Sequence, residues 1–237
     1  MAGIEQDALS LFLSPIMQYS TRAILLLSFT LICLSALAQN KFAIYAGPQM
    51  TSAKYKVEEI KQPTSFRKGL QLGASLKVPF ENNLYFGPAV YYSLKGYDVT
   101  LHHPSFPPTE LAVNNSTTLH TLEIAPMLHY DFSMQPSHFF IKLGPAIDVA
   151  FKGQETFQTI EGETVTRDMI FSFGDYGRVT SQAILQFGYE TPRFLVFAHY
   201  AEGLGGLNNA DGGPTIKHRI AGLSLGWFLY RRVNADR

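Results

Sequence analysis

Thr118-Leu119-His120-Thr121-Leu122-Glu123-Ile124-Ala125-Pro126-Met127-Leu128-His129-Tyr130-Asp131-Phe132-Ser133 is the stretch that decides how this chain folds. Leu122, Ile124, Pro126, Leu128, Tyr130 and Phe132 fall on one face, while Thr121, Glu123, Ala125, Met127, His129 and Asp131 fall on the other. Successive side chains of a strand point to opposite sides, so a period of two marks a strand with one greasy face and one that is mostly polar or small. Residues 138–152 repeat the scheme, with Phe139, Ile141, Leu143, Pro145, Ile147, Val149 and Phe151 opposite Phe140, Lys142, Gly144, Ala146, Asp148, Ala150 and Lys152. Both segments are long for strands, which usually have about five or six residues.

Working outward from these, six further segments alternate: 41–51, 68–79, 83–97, 178–190, 193–202 and 215–230, making eight. Leu70, Leu72, Ala74, Leu76 and Val78 oppose Gln71, Gly73, Ser75 and Lys77; Leu84, Phe86, Pro88, Val90, Tyr92 and Leu94 oppose Tyr85, Gly87, Ala89, Tyr91, Ser93 and Lys95. In 193–202 the run Phe194-Leu195-Val196-Phe197 blurs the facing. No segment after residue 40 sustains the helical i, i+3, i+4 spacing over three turns. The connections alternate in length: long at 52–67, 98–117, 153–177 and 203–214, short at 80–82, 134–137 and 191–192. That order is the one an up-and-down barrel needs when one membrane face carries turns and the other carries loops. The fold class is therefore all-β, an eight-stranded antiparallel up-and-down transmembrane β-barrel. Pro48, Pro88, Pro126 and Pro145 interrupt the alternation and suggest bulges or kinks, because proline cannot donate to the ladder.

The 237 residues carry 19 basic and 19 acidic side chains, a formal net charge of zero, which excludes a nucleic-acid binder that works by neutralising phosphates. Charged residues are 16%, against about 25% in soluble proteins. Residues 23–38 form an apolar run preceded by Arg22 and closed by Ala36-Leu37-Ala38, the outline of a secretory signal peptide cleaved near Ala38, with Met17 as the better start. The domain division is thus 1–38 as signal and 39–237 as the barrel. The only cysteine, Cys33, lies in the signal behind the bulky Ile32, so the mature chain makes no disulfide and offers no thiolate for metal or catalysis.

Polarity separates a membrane barrel from its soluble rival, a lipocalin-like carrier of an apolar ligand. The apolar faces are nearly free of charge and edged by Tyr130, Phe132, Tyr189, Trp227 and Tyr230, as a lipid-facing band would be. The opposite faces hold Lys77, Glu123, His129, Lys142, Asp148, Gln182, Gln186 and Glu190 among small residues, which suits a narrow lumen.

The runs Tyr91-Tyr92-Ser93-Leu94-Lys95-Gly96, Leu122 to Tyr130, and Lys142-Leu143-Gly144-Pro145-Ala146 resemble strand signatures of the small outer-membrane β-barrel domain family, often called porin-like, of Bacteroidetes-type Gram-negative bacteria. Phe171-Ser172-Phe173-Gly174, His199 to Leu204 and Leu223 to Phe228 extend the likeness over 40–230. Members usually end on the last strand's aromatic, whereas this chain continues from Arg231 to Arg237. The resemblance implies an outer-membrane location and a barrel, and brings no catalytic residue.

The lumen set Lys77, Glu123, His129, Lys142, Asp148, Gln186 and Glu190 reads as a polar plug, the alternative being a path for small solutes. His102 and His103 lie in a proline-rich loop without carboxylates at ligand spacing, and the other histidines are scattered over separate segments, so neither a metal nor a cofactor is expected. A rim-active enzyme would draw on Glu110, Asp168, Asp175 and Asp211 with His102 or His103. The expectation is a non-catalytic scaffold, monomeric, held in outer-membrane lipid, whose loops meet an extracellular ligand or surface partner and not nucleic acid.

Overall fold

The structure, a computed structural model, describes residues 41–230. The expected signal segment 1–38 with Cys33, the expected start at Met17 and residues 231–237 lie outside the described residues. Eight strands form the wall: β1 (Lys41–Val57), β2 (Arg67–Glu81), β3 (Leu84–Phe86 continued by Ala89–Thr100), β4 (Ala112–Ala125 continued by Leu128–Asp131), β5 (His138–Thr159), β6 (Val179–Glu190), β7 (Phe194–Gly203) and β8 (Thr215–Tyr230). Each pairs antiparallel with the next, and β8 returns to pair with β1 from Lys56↔Thr215 to Phe42↔Tyr230, which closes the ring.

The two faces sort as the alternation predicts. Leu72, Ile124, Leu143 and Leu225 point outward and are exposed, while Gln71, Glu123, Lys142 and Ser224 point inward and are buried. An exposed aliphatic wall around a polar interior is the reverse of a soluble cup, so the lipocalin-like alternative fails on polarity. The blurred run on β7 resolves with Phe194 and Val196 outward and Leu195 and Phe197 inward.

Two expectations are corrected. The segment from 153 is not loop: β5 continues to Thr159, turns, and returns as a short strand, Thr164–Asp168, paired against Gln154 to Gln158. Along the β4–β5 seam His120 pairs with Lys152 but Thr121 pairs with Ala150, so Phe151 is an inserted residue. A bulge of this kind reverses the facing beyond it, and Lys152 is exposed instead of entering the lumen.

The prolines act differently from what the sequence suggests. Pro88 and Pro126 interrupt β3 and β4, and the pairs Phe86↔Leu128 and Ala89↔Ala125 keep one register across the gap. On the β1–β8 seam Ala46↔Leu225 and Gln49↔Gly222 likewise share a register, with Pro48 between them. These prolines remove ladder bonds without inserting a residue. At the same seam a Cβ on Gly47 would stand 1.9 Å from the Leu223 carbonyl oxygen, so the strands approach as closely as they do because position 47 has no side chain.

Inside, apolar side chains form two separate cores. One gathers Tyr45, Tyr91, Met127, Phe140, Ile184, Leu195, Phe197 and Ile220 within the barrel. The other packs Tyr55, Tyr97, Leu119, Phe157 and Ile216 at the loop end against Leu101, Met169, Tyr176 and Leu207 from the connections.

Two outcomes follow. The mature protein in washed outer-membrane fractions should migrate faster unboiled than boiled on a gel, and lack of a shift would contradict ring closure. Gly47→Val should lower the urea midpoint of the folded barrel by the equivalent of about 1–3 kcal/mol, whereas Ala46→Val, on the outward face, should leave it near the unaltered value.

Candidate functional site

Alternation and closure bring the inward polar side chains of eight strands into one narrow column, where they sort into tiers. At the turn end, Lys77 of β2 donates to Asp131 of β4 at 2.6 and 2.9 Å and to Glu190 of β6 at 2.9 Å. Lys41 of β1 reaches the other Glu190 oxygen at 2.7 Å. His129 Nε2 lies 2.7 Å and His138 Nε2 3.1 Å from Asp131 Oδ1, while His138 Nδ1 faces the Gln135 carbonyl at 2.6 Å. Lys77 also stands 4.5 Å from the centre of the Tyr85 ring.

His129, Asp131 and Glu190 offer ligand atoms within 4.8 Å of one another, a set that could hold a metal ion. The Lys77 ammonium already bridges the two carboxylates. With Lys41 it balances both negative charges, so an ion entering here would have to displace a buried cation.

Above this tier Lys142 faces His129 and Gln186 across the ladders and lies 5.3 Å from the Phe140 ring centre. Among the described residues no carboxylate comes within 4.0 Å of it. Next comes a cavity of about 10 Å³ lined by Gln49, Gln71, Ser93, Glu123, Gln186 and His199 with apolar neighbours. Such a space admits about one water molecule. Gln49 Nε2 donates to Ser93 Oγ at 2.8 Å and Gln71 Nε2 to Ser224 Oγ at 2.9 Å. Both ring nitrogens of His199 lack a partner among the described residues, so a water there would satisfy one of them.

A further tier is built on Lys95, which is 2% exposed and pairs with Glu123 at 3.0 Å and with Asp148. Gln182 donates to the second Glu123 oxygen, and Thr180 to Asp148 at 3.3 Å. At the loop end Glu155, buried, accepts from Tyr176 at 2.6 Å and from Arg167 at 2.7 Å, and Arg167 also donates to the Pro108 carbonyl at 2.8 Å. One carboxylate thereby ties two connections, that between β5 and β6 and, through Arg167, that between β3 and β4, to the wall.

All seven residues singled out in the sequence are buried. They do not form one cluster: Lys77, His129 and Glu190 belong to the turn-end tier, Lys142 and Gln186 lie above it, and Glu123 and Asp148 belong to the Lys95 tier. Lys95 and Asp131, the ions that organise two tiers, were visible on the polar faces but not singled out. Glu155 lies in a stretch whose sequence reads as loop, and the meeting of His129 and His138 on Asp131 needs the topology. Of the loop candidates, Asp175 accepts from Ser172 at 3.0 Å and the His102 amide donates to Gln62. Among the described residues neither His102 nor His103 comes within 4.0 Å of a carboxylate, so no acid–histidine pair for rim catalysis is assembled.

A family model described as outer membrane protein beta-barrel domain matches residues 37–209. No curated protein matches the sequence. Among solved structures, the attachment invasion locus protein Ail of Yersinia pestis, crystallised with the heparin analogue sucrose octasulfate, is 13% identical with a TM-score of 0.43, over 80% of this chain and 98% of Ail. Neisserial surface protein A is 14% identical with a TM-score of 0.43, over 79% of this chain and 97% of its own. The N-terminal barrel domain of OprF of Pseudomonas aeruginosa is 13% identical with a TM-score of 0.28, over 80% and 98%. A closed ring of eight strands with a lipid-facing outside and a family match over most of its length lead to one conclusion: the chain belongs to the outer membrane protein beta-barrel domain family, and it resides in the bacterial outer membrane as a scaffold that carries long loops at one end.

Proposed function

We propose that this protein works through its extracellular loops, as a non-catalytic display scaffold for a surface ligand or partner, and that the polar column inside is a plug and not a path. The observation that carries this reading is the filled lumen. The Lys77 and Lys95 ion pairs, the Glu155 cluster and the apolar core around Tyr45, Tyr91 and Phe140 occupy it, and the cavity beside Gln49, Gln71 and His199 holds about one water. A diffusion pore would need a continuous aqueous bore, which eight strands rarely leave. Export through a signal peptide cleaved near Ala38, a barrel domain over 39–237, a Bacteroidetes-type host and a monomeric state complete the proposal.

The loop end has the character of a contact surface. Phe173 is 95% exposed on the connection between β5 and β6, and Phe66, Phe106, Leu111, Ile160 and Ile170 are also exposed on connections at this end. Large apolar side chains exposed on loops are candidates for contact with a partner. The returning strand Thr164–Asp168 pairs on one side only, with β5. Since Thr159 N–H donates to the Glu163 carbonyl and Met169 N–H to the Gly153 carbonyl, the backbone groups of Thr164, Thr166 and Asp168 point to the open side. An extended segment of a partner could pair there.

The plug carries a stability consequence. Lys95→Ala would leave Glu123 and Asp148 buried against each other and should cost about 3–5 kcal/mol, read as a fall in urea midpoint. Adding Glu123→Gln and Asp148→Asn to that chain should recover much of the loss, and no recovery would sink the ion-pair account. In a planar bilayer the unaltered protein should show no stable conductance steps; regular steps would favour the channel instead. An epitope inserted after Gly162 or Gly174 should be reached by antibody on intact cells with the gel shift retained, and inaccessibility would refute outward display.

A further inference from the structure

The outer wall carries a one-sided group of cations at the upper limit of its apolar band. Outward positions on β1 run Ile44, Ala46, Pro48 and Met50, then Ser52, which is buried against Thr64 of the following connection, and then Lys54 and Lys56; on β8 they run Trp227, Leu225, Leu223, Ala221 and then Arg219 and Lys217. On β2 they run Leu72, Leu70 and then Lys68, and on β7 Val196, Ala198, Tyr200 and then Glu202. The register sets Lys54 opposite Lys217 and Glu202 opposite Arg219, while Lys68 stands opposite Met50, at the edge of the apolar band four residues along β1 from Lys54.

Glu202 is the one outward acid on these four strands at that level, and it serves both Lys54 and Arg219, the latter at 3.3 Å. Lys56 is matched by Glu59 at 2.7 Å. Lys68 and Lys217 add positive charge, and Lys217 stands directly across the ladder from Lys54, so Lys54, Lys68, Lys217 and Arg219 share the single carboxylate of Glu202 and the group is left with an excess of positive charge. The other half of the wall differs: on β3 to β6 the only outward-facing Lys or Arg is Lys152. A general interfacial belt would be spread around the circumference, and this one is not.

We propose that the wall formed by β7, β8, β1 and β2 is a binding site for a phosphorylated glycolipid of the outer leaflet, with its phosphate held by Lys54, Lys68, Lys217 and Arg219 and its acyl chains lying along Met50, Leu70, Ala221 and Leu223. Glu202 holds Lys54 and Arg219 side by side so that both face the same phosphate. The small Ala46, Pro48, Ala198 and Ala221 below keep the wall low enough for chains to pack against it. The occupant is a lipid and not a soluble anion, because the cations begin where the hydrocarbon band ends.

The test is native mass spectrometry of the folded, detergent-solubilised mature protein with bisphosphorylated lipid A and with the same lipid stripped of phosphate. The phosphorylated form should be retained as a one-to-one complex, and the stripped form held on the order of 100-fold more weakly, a ratio that also applies to Lys54→Gln/Lys68→Gln/Lys217→Gln against the unaltered chain. Lys152→Gln should bind as the unaltered chain does, and the gel shift should be kept in both variants. Equal retention of the stripped lipid, unchanged binding by the triple variant, or an equal loss in Lys152→Gln would each overturn the proposal. Competition by millimolar inorganic phosphate that empties the site would overturn the lipid as occupant.

Discussion

In hydrocarbon a backbone N–H or C=O has no water to turn to, and the return of β8 to β1 is the step that removes the last open edge of this sheet. The other features depend on it. Closure fixes which eight faces look inward, so it determines that Lys77, Asp131 and Glu190 meet although 54 and 113 residues separate Lys77 from its two partners. It also fixes the small bore that those side chains then fill. The seam itself is built from residues that permit close approach, Gly47 and Gly222 on either side of Pro48, so the sequence meets the demand of closure where the ladder is locally interrupted.

The polar interior follows from the same constraint. Charges in a narrow, water-poor column are costly unless each is answered by a partner and by hydrogen bonds. The tiers show such answers: Lys77 and Lys41 for Asp131 and Glu190, Lys95 for Glu123 and Asp148, Arg167 and Tyr176 for Glu155. Paired in this way the ions specify one arrangement of strands, because a slip of register by one residue would carry a charge into lipid and an aliphatic group into the column.

Much of this architecture is legible from alternation alone. The faces of 118–133 and of 68–79 stand as read, because period two is imposed by strand geometry and needs no tertiary information. The reading fails where a local event resets the phase. Phe151 is an inserted residue, and nothing in Asp148-Val149-Ala150-Phe151-Lys152 announces it, so alternation alone places Lys152 on the wrong side. It also fails where strands outrun the membrane: Thr156, Gln158, Thr164 and Thr166 are polar on their exposed face, as loops are, and their pairing rests on a partner strand and not on hydrophobic contrast. As for the inner column, the sequence supplies its members but not their grouping, since which carboxylate meets which lysine depends on stagger between strands. Lys95 and Asp131 show the difference: their facing was evident, and their role as the centres of two tiers was not.

The second core at the loop end has a consequence for how this surface can vary over time. Leu101, Met169, Tyr176 and Leu207 come from connections, yet they are buried in one cluster with the strand residues Tyr55, Tyr97, Leu119, Phe157 and Ile216. Glu155 adds an ionic tether to Arg167 and Tyr176. A lineage under immune or phage pressure is therefore free to change only the segments between these anchors, such as the turns at Gly162 and Gly212, where open space surrounds the backbone. Diversification should be punctuated, with short hypervariable tips separated by positions that drift no faster than the barrel, so the outline of the rim would persist while its chemical detail turned over.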